Sequence, residues 1–180
     1  PYYNKPTQGG MRRHYEAILD AVEKPVVLYN VPGRTASNIA SSTTLLLSQH
    51  ENCAGIKEAS GDLEQIQEIL FGAPDDFVVL SGDDALTFAM MALGAHGVVG
   101  VASNVIPGHM KRMASALIDG DLVTARQVQK EVLPLMSALF VESNPIPVKA
   151  ALAHLGLIQD TLRLPLVSAS VETRRRVAEI

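Results

Sequence analysis

The chain has 180 residues, 47% of them hydrophobic and 19% charged, with a formal net charge of −4. That balance supports one sizeable core and excludes a disordered segment, and the mixed signs exclude a polyanion-binding surface. No apolar run approaches the ~20 residues that cross a bilayer, and four Phe, four Tyr and no Trp leave little to stack on nucleobases.

In chain order, Met11–Val22 has a helical period and follows the Gly9-Gly10 break. Four short apolar runs then read as strands: Val26–Val31, Ala54–Glu58, Phe77–Ser81 and Gly97–Ala102, each followed by Gly, Pro, Asn or Ser. Helix-like segments near Thr43–His50, Leu63–Phe71 and Ala85–Leu93 lie between them, and Asp62 and Asp84 stand where N-caps of the last two belong. Strand starts fall 20–28 residues apart, the spacing of βαβ units. Downstream only helices follow, near Pro107–Ile118, Leu122–Val141 and Pro147–Leu155, with a short one from Glu172. Gly120-Asp121 and Asn144-Pro145 punctuate them, and Arg174-Arg175-Arg176 reads as a solvated helix face. The pattern is that of a parallel α/β fold and leaves an open doubly wound sheet and a closed barrel both standing.

Cys53, the single cysteine, excludes an internal disulfide framework and reads as a buried, inert thiol in a protein of the reducing cytoplasm. Tyr29 shares a strand face with Val27 and Val31, as either a core tyrosine or a functional one. Arg34 follows the strand end, where ligands of α/β folds bind and a guanidinium can grip a carboxylate with two bonds; a solvated loop arginine is the alternative. Lys57 ends an apolar strand, where desolvation favours the neutral amine that attacks carbonyls, unless it turns outward to pair with Glu58 or Asp62. Ser81-Gly82-Asp83-Asp84 reads as helix capping in preference to a metal site, and Gly94–Gly100 as a tight turn entering a strand. The five histidines lack metal-site spacing.

Five strings stand together in order: Pro1-Tyr2-Tyr3-Asn4, Tyr29-Asn30-Val31-Pro32-Gly33-Arg34-Thr35, Gly55-Ile56-Lys57-Glu58-Ala59, Ser81-Gly82-Asp83-Asp84 and Asn144-Pro145-Ile146-Pro147-Val148-Lys149. In sequence and spacing they resemble the dihydrodipicolinate synthase family of Schiff-base-forming pyruvate lyases. The resemblance implies a (β/α)8 TIM barrel, of which this chain supplies the end of strand 4, strands 5–8 and C-terminal helices. Residues 1–106 would be the barrel part, and 107–180 the last barrel helix and a helical extension of the same domain. The family's Gly-Thr-Thr-Gly-Glu motif lies upstream of Pro1, so the chain corresponds to a C-terminal fragment whose activity alone is in question.

Carried over residue by residue, the resemblance makes Lys57 the imine-forming nucleophile, Tyr29 a proton relay and Tyr3 its continuation across a subunit contact. Arg34 would hold the carboxylate of the incoming aldehyde, backbone groups at Gly82 and Val99 would line the pyruvate pocket, and Tyr2 matches a position near an effector site. It implies pyruvate and L-aspartate 4-semialdehyde as substrates, no metal or other cofactor, a homo-oligomer (tetramer or dimer), and neither nucleic acid nor membrane as partner. Sister aldolases acting on N-acetylneuraminate or 2-keto-3-deoxy sugar acids share the Lys and Tyr but generally lack an arginine matching Arg34. A non-catalytic relative is the remaining alternative, against which Lys57, Tyr29, Tyr3 and Arg34 stand together.

Overall fold

A computed structural model describes all 180 residues, which divide into two compact units, Pro1–Val99 and Gly100–Ile180. In the first unit, helix α1 (Gln8–Ala21) begins one turn earlier than its sequence pattern suggests. Thr7 caps it, accepting from Gly10 N–H, so Gly9 and Gly10 lie inside the first turn and do not break it. Strand β1 (Val26–Asn30) leads into a single helical turn, α2 (Pro32–Thr35), then α3 (Ser41–Leu47). Strand β2 (Cys53–Glu58), α4 (Leu63–Gly72), β3 (Val78–Ser81), α5 (Thr87–Ala92) and β4 (Gly97–Val98) complete the unit. The four strands form one parallel sheet in the order β1-β2-β3-β4.

Two expectations change here. The strand placed at Gly97–Ala102 pairs with β3 only through Leu80↔Gly97 and Ser81↔Val98, and Ala102–Asn104 is instead a 3-10 turn. The cap assigned to Asp84 is not formed: α5 starts at Thr87 with no side-chain cap, the Asp83 carboxylate accepts from the N–H of Ala85 (2.9 Å) and Leu86 (3.1 Å) in the turn before it, and Asp84 is buried. Asp62 caps α4 as expected, accepting from Glu64 and Gln65 N–H.

Alternation along the strands sorts side chains onto two faces. Leu28, Ile56 and Val79 point to one face and pack with Leu19, Leu47, Ile69 and Phe77 from the flanking helices and turns, each fully buried aliphatic contributing about 1.5–3 kcal/mol. Cys53 belongs to the same cluster, and burial pushes its thiol pKa up, which keeps it protonated and inert. Strict alternation from Cys53 would place Lys57 on this covered face. It does not, because the β1–β2 register slips: Val26 pairs with Cys53 and Val27 with Gly55, so Ala54 is an extra residue. The slip sends Ile56 and Glu58 to the helix face and Gly55 and Lys57 to the other, where Val27 and Tyr29 also lie.

In the second unit, α6 (Pro107–Ile118) and α7 (Leu122–Ala138) pack as a helical hairpin turned at Gly120, with Asp121 capping α7. Their apolar stripes, Met110, Met113 and Leu117 on one helix and Ala125, Val128 and Val132 on the other, follow the 3–4 residue spacing of a buried helix face. Helices α8 (Ile146–His154), entered through the cis Asn144-Pro145 bond, and α9 (Val171–Ala178) pack together. The arginine run is neutralised within the unit: Arg175 pairs with Glu172 (2.7 Å) and Glu179 (3.0 Å), and Arg174 lies 3.7 Å from Asp160. No helix is long and apolar enough to cross a membrane.

The start of α9 is fastened by Glu142, which accepts from Ser170 N–H (3.0 Å) and Ser170 Oγ (2.7 Å). Hydrogen bonds from Thr173 and Ser170 hold its carboxyl below the ordinary glutamate value of 4.5. A depressed pKa contributes stability that is complete above about pH 4.5 and lost as the pH falls through the lower folded value. Amide exchange of α9 should therefore accelerate selectively below pH 4.5. In Glu142→Gln, exchange should be faster at neutral pH and nearly independent of pH over that range; an unchanged profile would refute the assignment.

Candidate active site

The carboxyl ends of the four parallel strands gather most of the residues that the sequence singled out. The register aligns Tyr29 with Lys57, Lys57 with Leu80 and Leu80 with Gly97 across one face of the sheet. The Lys57 Nζ sits over the Tyr29 ring, 4.1 Å from its centroid, within the range of a cation–π contact. Tyr29 lies on the sheet face opposite the helix-covered core, the face that also carries Lys57.

Lys57 does not turn outward to an acidic neighbour. Glu58 points to the opposite face, accepting from Asn30, Ser60 and Gln65, and Asp62 is occupied in capping α4. Gly82 explains how the lysine stem fits. A Cβ built there would stand 3.0 Å from Lys57 Cε, 2.8 Å from Ala59 Cβ and 3.2 Å from Glu58 O, so the bare backbone leaves the room that the lysine occupies. Gly82 N–H donates to Glu58 O (2.8 Å) and Val99 N–H to Ser81 O (2.9 Å), extending the ladder beyond the strands and placing Val99, half exposed, at the same end of the sheet.

Arg34 lies in α2 and not in an open loop, one turn past the end of β1 and exposed to solvent. Pro32 at the first helical position favours that turn, since its missing N–H is no loss there. Tyr2 and Tyr3 are 74% and 84% exposed, and Tyr3 adopts a positive φ of 67°. The structure does not bring Tyr3 into contact with Tyr29 or Lys57; only the latter two are assembled with each other within this chain. No three His, Cys, Asp or Glu side chains are grouped so as to hold a metal ion.

Asn30 and Gly55 were not given roles from the sequence. Asn30 is buried at the end of β1, and a Cβ at Gly55 would meet Val78 O at 2.2 Å. Both carried a signal: a polar amide ending an apolar strand, and a glycine inside one, which marks a close backbone approach.

A model described as the dihydrodipicolinate synthetase family matches residues 1–180. The chain belongs to that family. The 4-hydroxy-tetrahydrodipicolinate synthase of Koribacter versatilis (strain Ellin345) is 51% identical over 180 residues, covering 100% of this chain and 60% of the relative. A crystal structure of dihydrodipicolinate synthase from Thermotoga maritima superposes with a TM-score of 0.97 at 44% identity, over 99% of this chain and 62% of that one. The chloride-inhibited dihydrodipicolinate synthase from Acinetobacter baumannii, solved with pyruvate, gives a TM-score of 0.96 at 40% identity, over 99% and 62%. The chain spans about 60% of the length of the curated relatives it matches. The parallel βα order, followed by helices alone, is that of the second half of a (β/α)8 barrel with its C-terminal helices, as the family motifs imply.

Two glycine substitutions separate backbone from side-chain crowding. Gly55→Ala drives a methyl group into the Val78 carbonyl and should destabilise the complete protein by roughly 3 kcal/mol or more. Gly82→Ala meets mainly the movable Lys57 stem and Ala59, and should cost roughly 1–3 kcal/mol. Urea melts of the two variants should rank them in that order; equal costs would contradict the rigid-neighbour argument.

Proposed function

We propose that the protein carrying this chain condenses pyruvate with L-aspartate 4-semialdehyde through a Schiff base on Lys57, giving 4-hydroxy-tetrahydrodipicolinate for diaminopimelate and lysine synthesis. The observation that carries this reading is the Lys57 amine over the Tyr29 ring, at the carboxyl end of parallel strands and without an acidic partner. Barrel enzymes place their catalytic groups at that end. Family membership and the pyruvate held by the Acinetobacter baumannii relative support the choice of first substrate.

Lys57 Nζ adds to the ketone carbon of pyruvate, and loss of water leaves an imine. The protonated imine draws electrons from the methyl carbon, which loses a proton to become an enamine and then attacks the aldehyde carbon. The aldehyde oxygen takes up a proton. The amino group of the second substrate then displaces Lys57 from the imine carbon, closing the ring and freeing the amine. Tyr29, in contact with that amine, relays protons at the imine, and Tyr3 extends the relay from a neighbouring subunit. Gly82 and Val99 line the pyruvate pocket with backbone groups.

Arg34 grips the carboxylate of the aldehyde, the group that favours aspartate semialdehyde over the sugar-derived aldehydes of sister enzymes. Tyr2 belongs to an effector site. The protein works as a homo-oligomer in the cytoplasm, a setting in keeping with its lone, buried thiol.

Borohydride added after pyruvate should inactivate the complete protein and leave one pyruvate-derived adduct per subunit on the peptide carrying Lys57. Lys57→Ala should abolish the adduct with the fold intact, and Tyr29→Phe should slow its formation about 10²-fold or more without preventing it. An adduct on Lys149 or elsewhere, or none in active protein, would sink the mechanism.

Arg34→Lys should weaken use of the aldehyde by about 10- to 100-fold, the worth of a charge-assisted two-point grip, and spare pyruvate binding. Initial rates with each substrate varied in turn would show this; a defect confined to pyruvate would reassign Arg34.

A further inference from the structure

Behind the Lys57–Tyr29 contact, on the helix-covered face, lies a polar constellation that the proposed chemistry does not use. The residues after Tyr29 and Lys57 are Asn30 and Glu58, themselves register partners and 1% and 0% exposed. Glu58 accepts four hydrogen bonds. Asn30 Nδ2 reaches both carboxyl oxygens (3.2 and 3.0 Å), Ser60 N–H donates to Oε1 (2.7 Å), and Gln65 Nε2 donates to Oε2 (3.3 Å).

The same Asn30 nitrogen lies 2.8 Å from Asn38 Oδ1, and Asn30 Oδ1 accepts from Ile39 N–H at 3.0 Å. Asn38 Nδ2 donates to Gln65 Oε1 (2.8 Å), and Asn38 O accepts from Gln8 Nε2 (2.8 Å). Buried polar groups call for partners, and here both carboxyl oxygens are met by donors, every one a neutral N–H. Those donors come from the end of β1, the start of α4, and the turn after β2; Asn30 in turn holds the segment that carries the chain from Arg34 to α3.

We propose that Glu58 and Asn30 are positioning residues of the Schiff-base site. The pair locks β1 to β2 at the ends of the strands, so that the residue before each, Tyr29 and Lys57, meets the other on the opposite face. Parallel strands otherwise resist slippage only through the backbone ladder, which runs on to Ala59 N–H donating to Asn30 O (2.8 Å), and the apolar pattern, which ends here. Because a misplacement of about 1 Å at a reacting group can cost on the order of 10²-fold in rate, a fixed register is worth a buried charge. The idea deepens the Schiff-base reading and rests on it, but its geometric half can be measured without any reaction.

Glu58→Gln keeps size and shape but turns one acceptor into an amine. Whichever way the amide lies, that amine faces donors: Asn30 and Ser60, or Asn30 and Gln65. In the complete protein with 13C-labelled lysine, the Lys57 Cε protons should be shifted upfield by the Tyr29 ring current. The shift should shrink in Glu58→Gln and persist in Tyr29→Phe. Imine formation at saturating pyruvate should slow about 10- to 100-fold, with the pyruvate KM within about threefold, and adding Asn30→Asp should recover part of both losses by giving the amine an acceptor. If Glu58→Gln does not fold, Gln65→Met, which removes one of the donors to Glu58 along with the Gln65–Asn38 pairing, should produce the same changes at smaller size.

Unaltered shift and rate in a folded variant would overturn the proposal. So would a lower Tm with both readouts normal per folded molecule, which is what a purely structural role predicts. A wild-type protein that has the ring-current shift but forms no adduct would refute the Schiff-base reading, leaving the shift in Glu58→Gln to decide the positioning.

Discussion

The parallel pairing of β1 with β2 is the contact on which the site depends. It sets Tyr29 beside Lys57 on one face and Asn30 beside Glu58 on the helix-covered one, so chemistry and anchoring are consecutive pairs of the same ladder. The apolar layer beneath, Leu28 and Ile56 against Leu19, Leu47 and Ile69, gives the sheet its footing but little sense of position along the strand. Apolar contacts are non-directional; hydrogen bonds to a buried carboxylate are not. The division of labour follows from that difference: hydrophobic burial holds the sheet to its helices, and polar pairing sets where along the strands they meet.

Crowding supplies the remaining constraint. The lysine stem lies against the bare backbone of Gly82, where a Cβ would stand 3.0 Å from its Cε, while Gly55 allows β3 to approach at a distance no side chain would tolerate. An amine on a long flexible stem is thereby confined by what its neighbours lack. Confinement directs it, and the Tyr29 ring supplies the surface against which it rests.

Much of the fold was legible in the sequence because the period-2 runs were apolar and the turns carried their own chemistry. Asp62 caps where it was placed, the Gly120-Asp121 break falls between α6 and α7, and the helices of the second unit fall within a few residues of their predicted ends. Errors arose where two residues competed for one role. Asp83 and Asp84 are adjacent carboxylates, and only the geometry of the turn decides which one meets its N–H groups and which is buried. The run Val98–Ala102 is apolar enough for a strand, yet its backbone leaves the ladder after Val98, a tertiary outcome that no local pattern reports. At the site, Lys57 and Tyr29 could be named because their residue types are unusual at strand ends. The part played by Asn30 was hidden, since its partner lies 28 positions away and becomes a neighbour only through the register.

The extra residue in β2 has a wider consequence. Because Ala54 resets the alternation, Cys53 and Ile56 both face the apolar layer although three positions apart, while Gly55 and Lys57 face the site. The single added residue is what allows a buried thiol and the site lysine, four positions apart and of the same parity, to stand on opposite sides of one strand.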